Sequence, residues 1–212
     1  DDRAQVQPAG GDHTDHVGKG LVARVSLRTE GLRPAHLEGF GSIEGVARTK
    51  GEMYAALPAN GCALINADEP WGALWREQNR ADKVLTFGTA ADTDVRVEES
   101  AAGCRLVTAA GAVDVALPLP GSHNHMNAAA ATAAALALDI DMDIIRRGLE
   151  KVVPVPGRLN LLHTNAGWTV IDDSYNANPA SLYSALQVLA GLPGEPWLVL
   201  GDMKELGAGS RK

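Results

Sequence analysis

The stretch from Asn124 to Leu138 constrains the fold more than any other part of the chain. It carries eight alanines and reads as one helix. Alanine has the strongest intrinsic helix propensity. Small side chains also let a helix sit close on a sheet, as α/β layers require. Short apolar runs suited to such a sheet come before it. Gly61–Ala67 (GCALINA) predicts a buried strand, and Lys83–Phe87 (KVLTF), closed by Gly88, predicts another. Helices are expected through Ile43–Leu57 and Trp71–Ala81. Three alternating runs, Asp94–Glu98, Cys104–Ala109 and Ala112–Leu117, are separated by Gly or Ala turns and predict a small antiparallel meander.

Beyond the alanine-rich helix, Asp141 is placed to cap a second helix running to Lys151. Arg146 and Arg147 lie late in that helix, where the dipole favours cations. Val152–Pro156 (VVPVP) is held extended by its prolines and makes a domain boundary. Leu161–His163 and Trp168–Asp172 then read as a hairpin-like pair, and Ala180–Ala190 as a helix. Trp197–Leu200 reads as a fully apolar strand ending in Gly201-Asp202. This order suits the opening of a parallel α/β domain. Residues 1–33 are rich in Gly, Asp, His and Arg without an apolar period. They read as an atypical segment, non-native or disordered. The expected division is therefore 1–33, 34–155 and 156–212.

Composition excludes some functions. The formal net charge of -7 lacks the basic excess of a nucleic-acid binder. No run of 18 apolar residues exists to insert in a membrane. The polar start at Asp1-Asp2 is no signal peptide. Cys62 and Cys104 lack metal-ligand spacing and read as buried thiols of a reducing compartment.

Five segments carry candidate chemistry. Pro34–Ser42 holds His36 beside a Gly-rich turn, and Lys50 follows on the next helix. Taken alone, His36 reads more often as an ordinary surface or core histidine, and Lys50 as a solvated helix lysine. Gly121–Asn127 (GSHNHMN) opens the alanine-rich helix. Asn124 is a candidate cap, and Asn127 lies one turn further on about the same face. An amide offers a donor and an acceptor together, which suits the edge of a purine. Pro156–Asn160 (PGRLN) supplies Arg158, suited to a phosphate. Asp172–Pro179 (DDSYNANP) places two carboxylates at the end of a strand, where α/β proteins bind ligands. Asp173 and Asn178 either hold a ribose there or build a turn and cap the next helix. Gly201–Gly207 (GDMKELG) is a loop after the last expected strand. Val17-Gly18-Lys19-Gly20 is no phosphate loop, because His13 and Gly20 fill two positions that G-x-x-x-x-G-K-[ST] reserves for Gly and Ser or Thr.

Taken in order, PAHLEGFGSIEGVARTKGE, PLPGSHNHMNAAAA, PGRLN, DDSYNANPAS and LGDMKELG resemble the Mur ligases. Within them the resemblance is to members that join D-alanyl-D-alanine to UDP-N-acetylmuramoyl-tripeptide in peptidoglycan synthesis. DDSYNANP and GDMKELG are the discriminating pieces. The resemblance implies an α/β fold: the second half of a central ATPase domain over 34–155, then the beginning of a Rossmann-like C-terminal domain over 156–212. It implies ATP and Mg2+ as cofactors and an acyl-phosphate intermediate. It also implies a cytoplasmic, monomeric protein that neither binds nucleic acid nor inserts in membranes. By the same resemblance His36 and Lys50 are catalytic and metal-binding, Lys50 as a carbamate. Asn124, Asn127, Arg158, Asp173, Tyr175 and Asn178 bind the nucleotide, and Asp202 and Glu205 border the dipeptide site. Residues 1–33 lack the family's upstream glutamate motif and its phosphate loop, which implies a fragment inactive alone. Two other readings stay open: a non-catalytic nucleotide-binding module, and another amide ligase of the Mur or folylpolyglutamate type.

Overall fold

The computed structural model of the chain describes residues 42–203. The atypical segment expected at 1–33, His36 and Glu205 lie outside the described residues. The first helix, α1 (Ile43–Ala55), starts where Ser42 Oγ accepts the Gly45 N–H at 3.0 Å. Then come β1 (Cys62–Asn66), α2 (Gly72–Gln78), β2 (Lys83–Gly88), β3 (Val95–Ser100), β4 (Gly103–Thr108) and β5 (Gly111–Val115). The chain continues through α3 (Ser122–Ala137), α4 (Met142–Leu149), β6 (Asn160–His163), β7 (Thr169–Asp172) and α5 (Pro179–Ala190). The five-stranded sheet has the order β1-β2-β3-β4-β5, parallel as far as β3 and antiparallel beyond it. β6 and β7 form a separate antiparallel pair.

β1 is buried at every position, so both of its faces are covered. Successive side chains of a strand point to opposite faces. Cys62 and Leu64 join Val95, Leu106 and Val115 beneath the alanines of α3. Ala63 and Ile65 join Tyr54, Leu57, Trp75 and Ala81 beneath α1 and α2. Tyr54 donates its hydroxyl to the Leu64 carbonyl at 2.9 Å, and Trp75 donates its indole N–H to the Ala47 carbonyl at 2.9 Å. Burial pushes the Tyr54 phenol up to about 12, so it remains a donor. Surface ion pairs such as Arg48–Glu44, at 2.8 Å, contribute about 0.3–0.5 kcal/mol each. Full burial of a single Leu or Ile contributes about 1.5–3 kcal/mol. The two-faced core therefore decides the stability of this region.

β2 and β3 are consecutive strands that pair in parallel. Parallel neighbours ordinarily need a crossover of about a dozen residues. Here the connection is residues 89–94 alone. It suffices because β3 pairs with β2 only at Phe87↔Val95 and Gly88↔Arg96. At Thr86, where the ladder would continue, the Asp94 side chain stands in for a strand. Asp94 Oδ2 accepts both the Thr86 N–H and its hydroxyl at 2.7 Å, and Thr86 Oγ1 accepts the Asp94 N–H at 3.0 Å.

The expected helices and the meander are present, with ends shifted by a few residues. Asp141 caps α4 as expected, accepting the Asp143 N–H at 2.8 Å. Two expectations are corrected. Asn124 is not the cap of the alanine-rich helix. Gly121, at φ 95, turns the chain sharply enough for α3 to begin at Ser122. Trp197–Leu200 is not a strand. Trp197 is 81% and Val199 97% exposed, and no strand among the described residues runs beside them. An apolar run becomes a strand only where it has a ladder partner and a face to bury.

Thr86 is buried. Replacing Asp94 with Ala should orphan its N–H and hydroxyl and lower stability by about 1–3 kcal/mol. Urea denaturation of the 212-residue chain checks this; an unchanged midpoint would show that Asp94 does not hold the β2–β3 connection.

Candidate functional site

The first group of candidates stands at the start of α3. Asn124 Nδ2 donates to the Pro120 carbonyl at 2.7 Å, and Asn127 Nδ2 donates to Asn124 Oδ1 at 3.1 Å. The two amides thus share one face, as their spacing predicts. An amide keeps a second N–H and a second lone pair after one bond of each kind, so Asn124 retains capacity for a ligand edge. His123 and His125 are half-buried beside them. Burial lowers the His125 pKa, and Glu99 partly opposes that. The described residues contain no group of three or more His, Cys, Asp or Glu able to hold a metal ion. Lys50 is half-buried on α1.

The second group lies where the chain leaves the first sheet. PGRLN and DDSYNANP are knitted into one loop. Asp172 Oδ2 accepts the Gly157 N–H at 3.1 Å, and Asp173 Oδ1 accepts the Leu159 N–H at 3.1 Å. Tyr175 N–H closes the ring by donating to the Gly157 carbonyl at 3.0 Å. Gly157 has φ 76 and Leu159 φ 50, so Arg158 is flanked by two left-handed residues. Such a backbone strains a branched side chain. Burial of Leu159 and the two carboxylates hold it in place. The Arg158 guanidinium lies over the Tyr175 ring, 4.1 Å from its centroid. An exposed contact of this kind contributes about 0.5–1 kcal/mol, enough to bias a side chain but not to fold a loop.

Asn178 sits at the head of α5. Its Oδ1 accepts the Ser181 N–H at 2.9 Å, and the Ser181 hydroxyl accepts the Asn178 N–H at 3.1 Å. That is a reciprocal helix cap, with Pro179 at the first helical position. The structural half of the sequence alternative is therefore present at Asn178. At Asp173 the carboxylate builds the turn through Oδ1. Asp202 is exposed.

Three polar residues were given no role of their own by the motif reading. Asp172 is as engaged as Asp173. Its Oδ1 also accepts the Ser174 hydroxyl at 2.7 Å and the Ser174 N–H at 3.3 Å. Asn66 and Asp68 stitch together the ends of β1 and β2. Asn66 Oδ1 accepts the Asp68 N–H, and the Asp68 carboxylate accepts the Thr89 N–H, each at 3.0 Å. The only signal for this pair was polarity directly after the GCALI run.

The sequence matches the Mur ligase middle domain over residues 25–135, ahead of the boundary expected at 34. It matches the Mur ligase glutamate ligase domain over residues 157–212. The chain belongs to the Mur ligase family. Among its relatives is the UDP-N-acetylmuramoyl-tripeptide–D-alanyl-D-alanine ligase of Escherichia coli K12. The two are 45% identical over 185 residues, which is 84% of this chain and 41% of that protein. The fold resembles crystal structure I of MurF from Acinetobacter baumannii, with a TM-score of 0.75 and 36% identity. That match covers 85% of this chain and 40% of the other. It also resembles MurF of Thermotoga maritima in complex with ADP, with a TM-score of 0.72 and 26% identity over 84% of this chain and 42% of that one. This Mur ligase chain spans about two-fifths of the length of such curated relatives. Its mixed α/β sheet is that of the family's middle domain, and the segment after Pro156 enters the C-terminal domain.

The hydrogen bonds from Ser174, then those from Gly157, hold the Asp172 pKa below the ordinary aspartate value. A carboxyl lowered in the folded state stabilises that state at all pH above its unfolded value. It loses this stabilisation as pH falls through the folded value. The knitted loop should therefore loosen only below the ordinary aspartate range. The amide resonances of Gly157 and Ser174, followed during acid titration, check this. Their movement should vanish in the Asp172→Asn variant; movement unaffected by that substitution would rule Asp172 out as the cause.

Proposed function

We propose that this chain is a segment of an ATP-dependent ligase that joins D-alanyl-D-alanine to UDP-N-acetylmuramoyl-tripeptide in peptidoglycan synthesis. The observation that carries the reading is the joining of PGRLN and DDSYNANP into one carboxylate-bound loop. That loop lies in a chain that matches both Mur ligase domains. The ADP named in the Thermotoga maritima structure supports ATP as the nucleotide. The proposed domain division follows the sequence: the second half of the central domain to residue 155, and the opening of the C-terminal domain from 156.

In this reading the tripeptide carboxylate takes the γ-phosphoryl group of ATP, and the amine of D-alanyl-D-alanine displaces phosphate from the acyl phosphate. Asn124 and Asn127 face the adenine, and their fixed amides suit a purine edge. Asp173 faces the ribose with the oxygen not engaged by Leu159. Arg158 is directed at the phosphates, with Tyr175 beside it. Asn178 serves the nucleotide by holding the loop at the head of α5. His36 and Lys50, the latter as a carbamate, would hold Mg2+. A carbamate turns a cation into an anionic oxygen donor, which a hard cation prefers. Mg2+ would supply charge neutralisation on the phosphoryl oxygens. Asp202 and Glu205 border the dipeptide. The whole protein is read as cytoplasmic and monomeric, without nucleic-acid partners. Among the described residues no helix is long and apolar enough to cross a membrane.

Phosphate release that depends on ATP, the UDP-linked tripeptide and D-alanyl-D-alanine tests the reading in the full-length ligase carrying this segment. Without such release the proposal fails. Asn127→Ala and Asp173→Ala should each raise the KM for ATP by roughly tenfold, the loss of one good hydrogen bond in a binding site. The 212 residues alone hold no G-x-x-x-x-G-K-[ST] loop and should bind ATP only weakly in calorimetry. Micromolar affinity would contradict that.

A further inference from the structure

Arg158 is an exposed cation held in place, and its constraint has two parts. The backbone on both sides is fixed by carboxylates, through Gly157 to Asp172 and through Leu159 to Asp173. The side chain is fixed by Tyr175, whose ring lies 4.1 Å from the guanidinium carbon. Tyr175 is anchored in turn, since its N–H donates to the Gly157 carbonyl. The partner that orients the side chain is thus tied to the turn that carries it.

A guanidinium bonds an anion through the N–H groups at its edge and an aromatic ring through its face. With the guanidinium carbon 4.1 Å over its ring, Tyr175 covers one side of the group, and donors directed away from the ring remain for an anion. Arresting a long arginine side chain costs conformational entropy, and the ring contact removes part of that freedom in advance. We infer that Tyr175 is a positioning residue. It acts through Arg158, presenting the guanidinium edge to a polyphosphate, rather than through contact with the base. This rests on the nucleotide reading above and deepens it.

The experiment uses the full-length ligase carrying this segment, with inorganic tripolyphosphate and adenosine as separate competitors of ATP. Tyr175→Ala should weaken inhibition by tripolyphosphate several-fold and leave inhibition by adenosine unchanged. Tyr175→Phe keeps the ring and should restore tripolyphosphate inhibition. Tyr175→Leu keeps bulk without an aromatic face and should not. In Arg158→Ala, a further Tyr175→Ala change should have no added effect on tripolyphosphate. Loss of adenosine inhibition instead would overturn the inference in favour of direct base contact. Unchanged inhibition by both competitors, or additive effects of the two substitutions, would overturn it as well. A wild-type ligase without activity would defeat the functional reading itself, which separates that failure from this one.

Discussion

Everything in the first sheet depends on β1 being covered from both sides. A strand buried on one face tolerates alternation; one buried on two faces must be apolar throughout, and CALIN is apolar as far as its last residue. That demand sets the partners. On one side the backbone of α3 must come close, and alanine is the residue that permits it. On the other side Tyr54 and Trp75 cover the strand, their rings 5.9 Å apart. Both rings carry polar atoms, and both find backbone carbonyls.

This arrangement puts the chemistry at strand ends and helix starts. Asn66, the last residue of β1, already turns its amide to the next loop. Gly121 admits α3 at an angle that side-chain-bearing residues resist; a Cβ there would come within 2.7 Å of the His123 ring. The Asn124–Asn127 pair is a consequence of that entry, because the helix must begin early enough for both amides to lie in its first turns. Val188 of α5 also approaches Gly121, so the C-terminal segment reaches the head of α3.

Most of the fold was legible because its determinants are local. The apolar runs of β1 and β2, the alternation in the meander, the alanines of α3 and the Asp141 cap each act within a few residues. What was not legible depends on distance or on neighbours. Asp94 replaces a ladder partner across the β2–β3 connection, and nothing in its own segment marks it. Trp197–Leu200 has every attribute of a strand except a companion. Asn124 looked like a cap because the torsion of Gly121 cannot be read from composition. The candidate site divides in the same way. The residues of GSHNHMN and DDSYNANP were found as motifs, but the bonds that join DDSYNANP to PGRLN span about fifteen residues. For that reason Asp172, though read as one of two carboxylates, was given no role of its own.

The Asp173 carboxylate has one oxygen on the backbone of the Leu159 turn. Any hydroxyl that binds the same carboxylate changes the charge density felt by that N–H, and the turn in its left-handed form changes the carboxylate offered to the hydroxyl. The two events are thermodynamically linked, and the linkage is reciprocal. Occupancy at Asp173 and the shape of the Leu159 turn at the start of the C-terminal segment are therefore one equilibrium, read at two places.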